Sequence, residues 1–102
     1  VQTDAVGSGF TAPLTSVLTG TGNIAGDSAV LRVNGTQADA DAGDQGTGNY
    51  ANAALYIGRR GGTTLPFNGR IYSLLVRGAL STAAQIAAAE RYAAVKTGVT
   101  LA

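Results

Sequence analysis

Leu55-Tyr56-Ile57-Gly58-Arg59-Arg60-Gly61-Gly62, followed by Phe67-Asn68-Gly69-Arg70-Ile71-Tyr72-Ser73-Leu74-Leu75-Val76-Arg77-Gly78-Ala79-Leu80-Ser81, is the stretch on which the fold turns. Residues 53–57 are a short apolar run bounded by polar and glycine residues, which predicts a strand, and 58–63 predict a glycine-rich loop. Phe67 should pack inward, and residues 70–77 predict a longer strand. Ile71, Leu74, Leu75 and Val76 cannot share one face at a period of two, so that strand should be covered on both sides. At Ser81 the apolar period switches to that of a helix. Ser81 is a candidate N-cap, and Thr82 with Gln85 spells a capping box one residue later. Ile86, Ala89 and Ala93, flanked by Ala88, Tyr92 and Val95, make an apolar stripe, and Gly98 is a stop signal. These features predict a helix over about 82–96 whose Ile86 and Tyr92 side covers Leu74 or Val76.

Working back toward the N-terminus, residues 14–18 alternate Leu14, Ser16 and Leu18 against Thr15, Val17 and Thr19, a strand pattern. It can extend through Gly20-Thr21-Gly22 to Ile24, where the glycines predict a bulge. Gly26-Asp27-Ser28 is turn chemistry, and residues 29–33 form a strand with Val30 and Arg32 on one face and Leu31 and Val33 on the other. Asn34-Gly35 supplies the positive backbone angles of a two-residue hairpin turn, so residues 36–38 should return antiparallel. Residues 39–52 read as a polar loop. Residues 1–13, around Phe10 and Pro13, read as an N-terminal arm or edge strand ahead of the 14–102 segment.

With 102 residues the chain is one domain. Fifteen glycines without a repeat, 6% aromatic residues and no Trp indicate short strands joined by tight turns, a mainly β class. The net charge is +1 and only Arg59-Arg60 pairs two basic residues, which gives no footprint for nucleic acid. No apolar run approaches the roughly twenty residues that span a bilayer. Without cysteine there is no disulfide framework or thiolate zinc site, and without histidine the commonest general base and metal ligand is missing. A first residue of Val1 predicts a piece of a longer polypeptide.

Ile57-Gly58, then Phe67 and Gly69 leading into Ile71, then Ala79-Leu80-Ser81 opening a helix, resembles the closing segment of the concanavalin A-like, laminin-G-like jelly-roll domains. The wording is closest to versions carried by bacteriophage tail and structural proteins, and Arg32-Val33-Asn34-Gly35 is similar to the hairpin that this family uses near its middle. The resemblance spans Val17 to Leu101 and matches about the second half of a full domain, with about five or six strands against roughly eight. It implies an antiparallel β-sandwich, or its C-terminal half, closed by one C-terminal α-helix. A lone half leaves a sheet face uncovered. The resemblance therefore implies partners: the remainder of the same polypeptide, or identical or other virion subunits in a homo-oligomer. The implied function is a non-enzymatic structural or adhesion module of a phage or phage-like virion (tail fibre, tail tip or capsid surface) with cell-surface glycan as a candidate ligand. The alternatives are a decoration protein without ligand and a carbohydrate-binding module of a secreted bacterial enzyme.

Candidate sites follow from composition and from that resemblance. Asp39, Asp41 and Asp44, with Asn49 and Asn52, have the oxygen-rich character a hard cation needs, and the family's rim calcium makes Ca²⁺ the candidate ion. The spacing does not meet the EF-hand loop, so a solvated polar loop without a cofactor is the favoured reading. Arg59 and Arg60 before Gly61-Gly62 offer guanidinium groups and backbone amides to a carboxylate, sulfate or acidic sugar. Strand alternation would send the two side chains to opposite sides, and charged gatekeeping of a strand end is the favoured reading of the pair. Among the tyrosines, Tyr56, Tyr72 and Tyr92 fall in strand or helix stripes and read as core. Tyr50, with Asn49 and Asn52 in the same Gly46-Thr47-Gly48-Asn49-Tyr50-Ala51-Asn52 loop, is the candidate for ligand contact. No triad is available, and the paired acidic motif of the family's glycan hydrolases does not occur here, so the expectation is no enzyme activity.

Overall fold

The computed structural model describes residues 13–61 and 64–102. Three strands and one helix follow in chain order: β1 (Leu18–Asn23), β2 (Ser28–Val33), β3 (Thr36–Asp41) and α1 (Ala83–Thr97). The strands form one antiparallel sheet in the order β1-β2-β3. The described residues therefore form a three-stranded antiparallel sheet with a C-terminal helix. The N-terminal arm or edge strand expected over 1–13 lies, except for Pro13, outside the described residues.

The β2–β3 hairpin forms where Asn34-Gly35 placed it. Asn34 has φ 50° and Gly35 φ 87°, both in the left-handed region that a primed turn requires. Because Asn34 is turned in this way, its three polar groups reach three directions. Its N–H donates to the Val17 carbonyl at 2.9 Å, and its side-chain oxygen accepts the Val17 N–H at 2.9 Å. Its own carbonyl accepts the Ala102 N–H at 2.9 Å, which ties the C-terminal end to the hairpin. The side chain thus supplies an acceptor that the twisted backbone cannot present to Val17.

Strand details differ from expectation, and β3 runs on to Asp41 where a loop was expected from Asp39. The first strand begins at Leu18 rather than Leu14, and it crosses Gly20 and Gly22 in unbroken register from Leu18↔Val33 to Asn23↔Ser28. The irregularity sits instead in the β2–β3 ladder: Leu31 pairs with Asp39 but Arg32 with Gln37, leaving Ala38 as the extra residue. Val30 and Arg32 do share one face, opposite Leu31 and Val33, as the paired residues require.

Residues 53–57 and 70–77 do not form strands. Their side chains suit a sheet, but a strand is completed by the backbone of a neighbour, and none of the described residues pairs with them. Leu55, Tyr56, Ile57, Phe67, Ile71, Tyr72, Leu74, Leu75 and Val76 are all exposed, so the inward packing expected of Phe67, Tyr56 and Tyr72 does not occur. Within this segment one local closure exists. Arg60 and Thr64 exchange backbone hydrogen bonds of 2.8 and 3.1 Å, and the Phe67 N–H donates to the Gly58 carbonyl.

Helix α1 starts at the capping box, with Thr82 as N-cap. The Thr82 hydroxyl accepts the Gln85 N–H at 3.2 Å, and the Gln85 side chain accepts the Thr82 N–H at 3.0 Å. Arg77 donates to that same Gln85 oxygen at 2.7 Å, joining the preceding segment to the cap. Gly98, at φ 73°, ends the helix in the left-handed conformation. The expected boundaries are met within one residue, but the expected docking face is rotated. Glu90 and Ala94 are the buried residues, Ile86, Ala89, Ala93 and Thr97 are half-buried, and Tyr92 and Val95 face outward. Outside, the Lys96 ammonium lies 5.0 Å from the centre of the Tyr92 ring. The helix does not cover Leu74 or Val76, both of which remain exposed.

Candidate functional site

The two faces of the sheet carry different chemistry, and the strand register assigns each residue to its face. Thr19, Arg32 and Val30 lie on the face that receives α1. On it the Arg32 Nε donates to Glu90 Oε1 at 2.7 Å, one Arg32 terminal nitrogen donates to Glu90 Oε2 at 3.1 Å, and the Thr19 hydroxyl donates to Oε1 at 3.0 Å. That same Arg32 nitrogen also donates to the Gly35 carbonyl at 2.6 Å, so the guanidinium bridges helix and hairpin turn. Glu90 is only 3% exposed and the Arg32 side chain 28%. The hydrogen bond from Arg32 holds the Glu90 carboxyl below the usual carboxylate range; burial opposes this, and the Thr19 bond and the Arg32 charge add to it. In turn the Glu90 hydrogen bond holds the Arg32 guanidinium above its ordinary value. A carboxylate with three donors fixed on it is a tertiary tie rather than a free acid or base.

The opposite face carries Gly22 and Ala29, a register pair whose small side chains leave the surface low. The 45–51 loop lies over this end of the sheet, and the Tyr50 hydroxyl sits where a Gly22 Cβ would be. Gly22, Ile24, Ala29, Thr47, Asn49 and Tyr50 line a shallow open groove there. Asp27, on the β1–β2 turn, holds this loop by accepting the Gln45 N–H at 3.0 Å.

The acidic candidates are not brought together. Asp39 Oδ1 accepts the Ala40 N–H, Asp41 Oδ1 the Gly43 N–H at 2.7 Å, and Asp44 Oδ1 the Gly46 N–H at 2.7 Å. Each carboxylate folds onto the backbone just after it, Asp39 and Asp41 from β3 and Asp44 from the loop beyond. Among the described residues no three His, Cys, Asp or Glu side chains converge as metal ligands. Asn49 and Tyr50 share the groove, whereas Asn52 is exposed outside its lining. Arg59 and Arg60 are exposed in the 58–67 loop, and the Arg60 N–H is taken by Thr64, which removes one amide from the expected anion cradle. Gly62 of that cradle lies outside the described residues.

Compared with known proteins, the chain matches no family model, no curated protein and no solved structure. Among the described residues no helix is long and apolar enough to cross a membrane.

Two features escaped the sequence reading. Glu90 was hidden on a helix whose apolar stripe pointed elsewhere, and the signal that could have found it is Arg32, a charge at an alternating position beside Val30. A charge there must end at water or at a partner. The bonding of Asn34 to Val17 was hidden because the turn explains Asn34 by conformation alone.

Proposed function

We propose that this chain is a non-enzymatic structural and adhesion module of a phage or phage-like virion, forming part of a concanavalin A-like sandwich that neighbouring protein completes. The observation that carries this reading is the segment 53–80. It has the composition of buried strands, yet it exposes Leu55 at 70%, Leu75 at 76% and the apolar residues described between them, with no neighbouring strand among the described residues. An apolar surface of that kind is normally an interface. The remainder of the polypeptide, or identical or other virion subunits, would supply the missing neighbour. The non-enzymatic part is supported by the state of Glu90, whose oxygens are held by Arg32 and Thr19. The virion setting, on a tail fibre, tail tip or capsid surface, rests on the resemblance of 57–81 to phage versions of the family.

The test is immunogold electron microscopy with antibody raised against the chain, on particles purified from cultures expressing the gene. Labelling on the tail or capsid surface is expected. Particles that carry no label, with the chain recovered instead on a secreted polypeptide containing a catalytic domain, would overturn the virion reading in favour of a carbohydrate-binding module.

A further inference from the structure

We infer that Asn68-Gly69 is a self-modification site, at which the Gly69 peptide nitrogen converts Asn68 to aspartate or isoaspartate, and that the fold withholds the same reaction from Asn34-Gly35. The inference stands apart from the virion reading.

The chain carries the Asn-Gly dipeptide twice. In that dipeptide the glycine peptide nitrogen, on losing its proton to solvent, attacks Cγ of the asparagine side chain. The new C–N bond closes a succinimide ring, the Cγ–Nδ2 bond breaks, and the amide nitrogen takes up a proton and leaves as ammonia. Water then opens the ring at one of its two carbonyls, giving aspartate or isoaspartate. Nothing is oxidised or reduced, and water is the co-reactant. Glycine matters because a Cβ on the following residue crowds the approach. The asparagine side chain must also be free to swing onto that nitrogen.

The two dipeptides differ in this freedom. The Asn34 side-chain oxygen accepts the Val17 N–H at 2.9 Å, its N–H donates to the Val17 carbonyl, and its carbonyl accepts the Ala102 N–H. Asn34 and Gly35 are also half-buried. Swinging Cγ onto the Gly35 nitrogen gives up the bond to Val17, so reaction there waits on local opening of the hairpin. Asn68 and Gly69 are exposed, in a segment without strand pairing. Among the described residues nothing hydrogen-bonds the Asn68 side chain or the Gly69 N–H. A Cβ at position 69 would lie 2.7 Å from Cζ of Phe67, so the ring occupies the space that a larger residue would fill.

Conversion changes what the segment can do. A carboxylate appears in 53–80, which holds Arg59, Arg60, Arg70 and Arg77 and no acidic residue. Isoaspartate also routes the main chain through its Cβ, adding a backbone atom just ahead of 70–77. That breaks the alternation on which strand pairing depends.

The experiment follows the full chain by peptide mass spectrometry in water enriched in heavy oxygen, folded and in urea, for the wild type and G69A. Asn68 should take up heavy oxygen as fast in the folded chain as in urea, at a rate that rises with pH. Asn34 should convert about tenfold or more slowly in the folded chain than in urea. Asn52, exposed but followed by Ala53, and Asn68 in G69A should both stay largely unconverted. Circular dichroism checks that G69A is folded. Folded wild type in which Asn68 converts no faster than Asn34, or no faster than Asn52, overturns the site. Asn34 that converts as fast folded as in urea overturns the protection assigned to the hairpin.

Discussion

Replacing Glu90 by alanine leaves the Arg32 guanidinium half-covered, with the Gly35 carbonyl as its remaining acceptor among the described residues. Breaking a buried pair from one side costs more than the pair contributes, because the remaining charge keeps its desolvation cost. Arg32 retains some water, so the loss should fall at the lower end of such effects, about 2–3 kcal/mol, read by urea denaturation. Glu90 also gives stability a pH dependence whose sign is fixed. Its folded pKa lies below the unfolded value, so its contribution is complete above the ordinary carboxylate range of about 4.3 and is lost as pH falls through the lower folded value. The melting midpoint should therefore fall more steeply on acidification in the wild type than in Glu90→Gln. Equal acid slopes would show that the tie is not formed in solution. The partner of Arg32 could not be read from sequence because it lies 58 residues away on an element whose facing depends on packing, not on its own pattern.

At the scale of elements, what was legible depended on where each determinant lies. The hairpin at 34–35 and the helix ends are set by residues within a few positions of one another, and they appear where Asn34-Gly35, Thr82 with Gln85, and Gly98 place them. Strand pairing over 53–57 and 70–77 needs a second backbone, which no local pattern supplies, and the alternation there predicted side-chain character without predicting a partner. The rotated docking face has a similar cause. The alanines at 87–89 and 93–94 are nearly equivalent in apolar character, so the long-range pull of Arg32 on Glu90 decides which side turns inward. Two variants test the local determinants. Gly35→Val places a β-branched side chain at φ 87°, with its Cβ 3.4 Å from that of Leu101, and should destabilise by roughly 1–3 kcal/mol. Thr82→Ala removes the cap and should cost about 1 kcal/mol. Thermal denaturation reads both, and unchanged midpoints would contradict the turn and cap assignments.

For the whole molecule, the balance of buried and exposed apolar side chains gives the measure. Only Val17, Val33 and Ala94 are buried apolar residues among those described, while the large apolar side chains of 55–80 stand outside. A sheet layer tied to its helix through Glu90, by Arg32 and Thr19, has little apolar core of its own. Apolar area of this extent becomes stabilising, at about 25 cal/mol per Å², only when another surface meets it. On the proposed function, residues 53–80 are covered in the working state by neighbouring protein. Hydrogen–deuterium exchange on the chain alone and on purified particles tests this most directly. In the chain alone, amides at 71–76 should exchange within seconds while those of β2 and α1 are protected, and in particles 71–76 should slow by about a hundredfold or more. A monomeric, cooperatively melting chain in which 71–76 are already as protected as β2 would contradict it and make this a complete miniature domain.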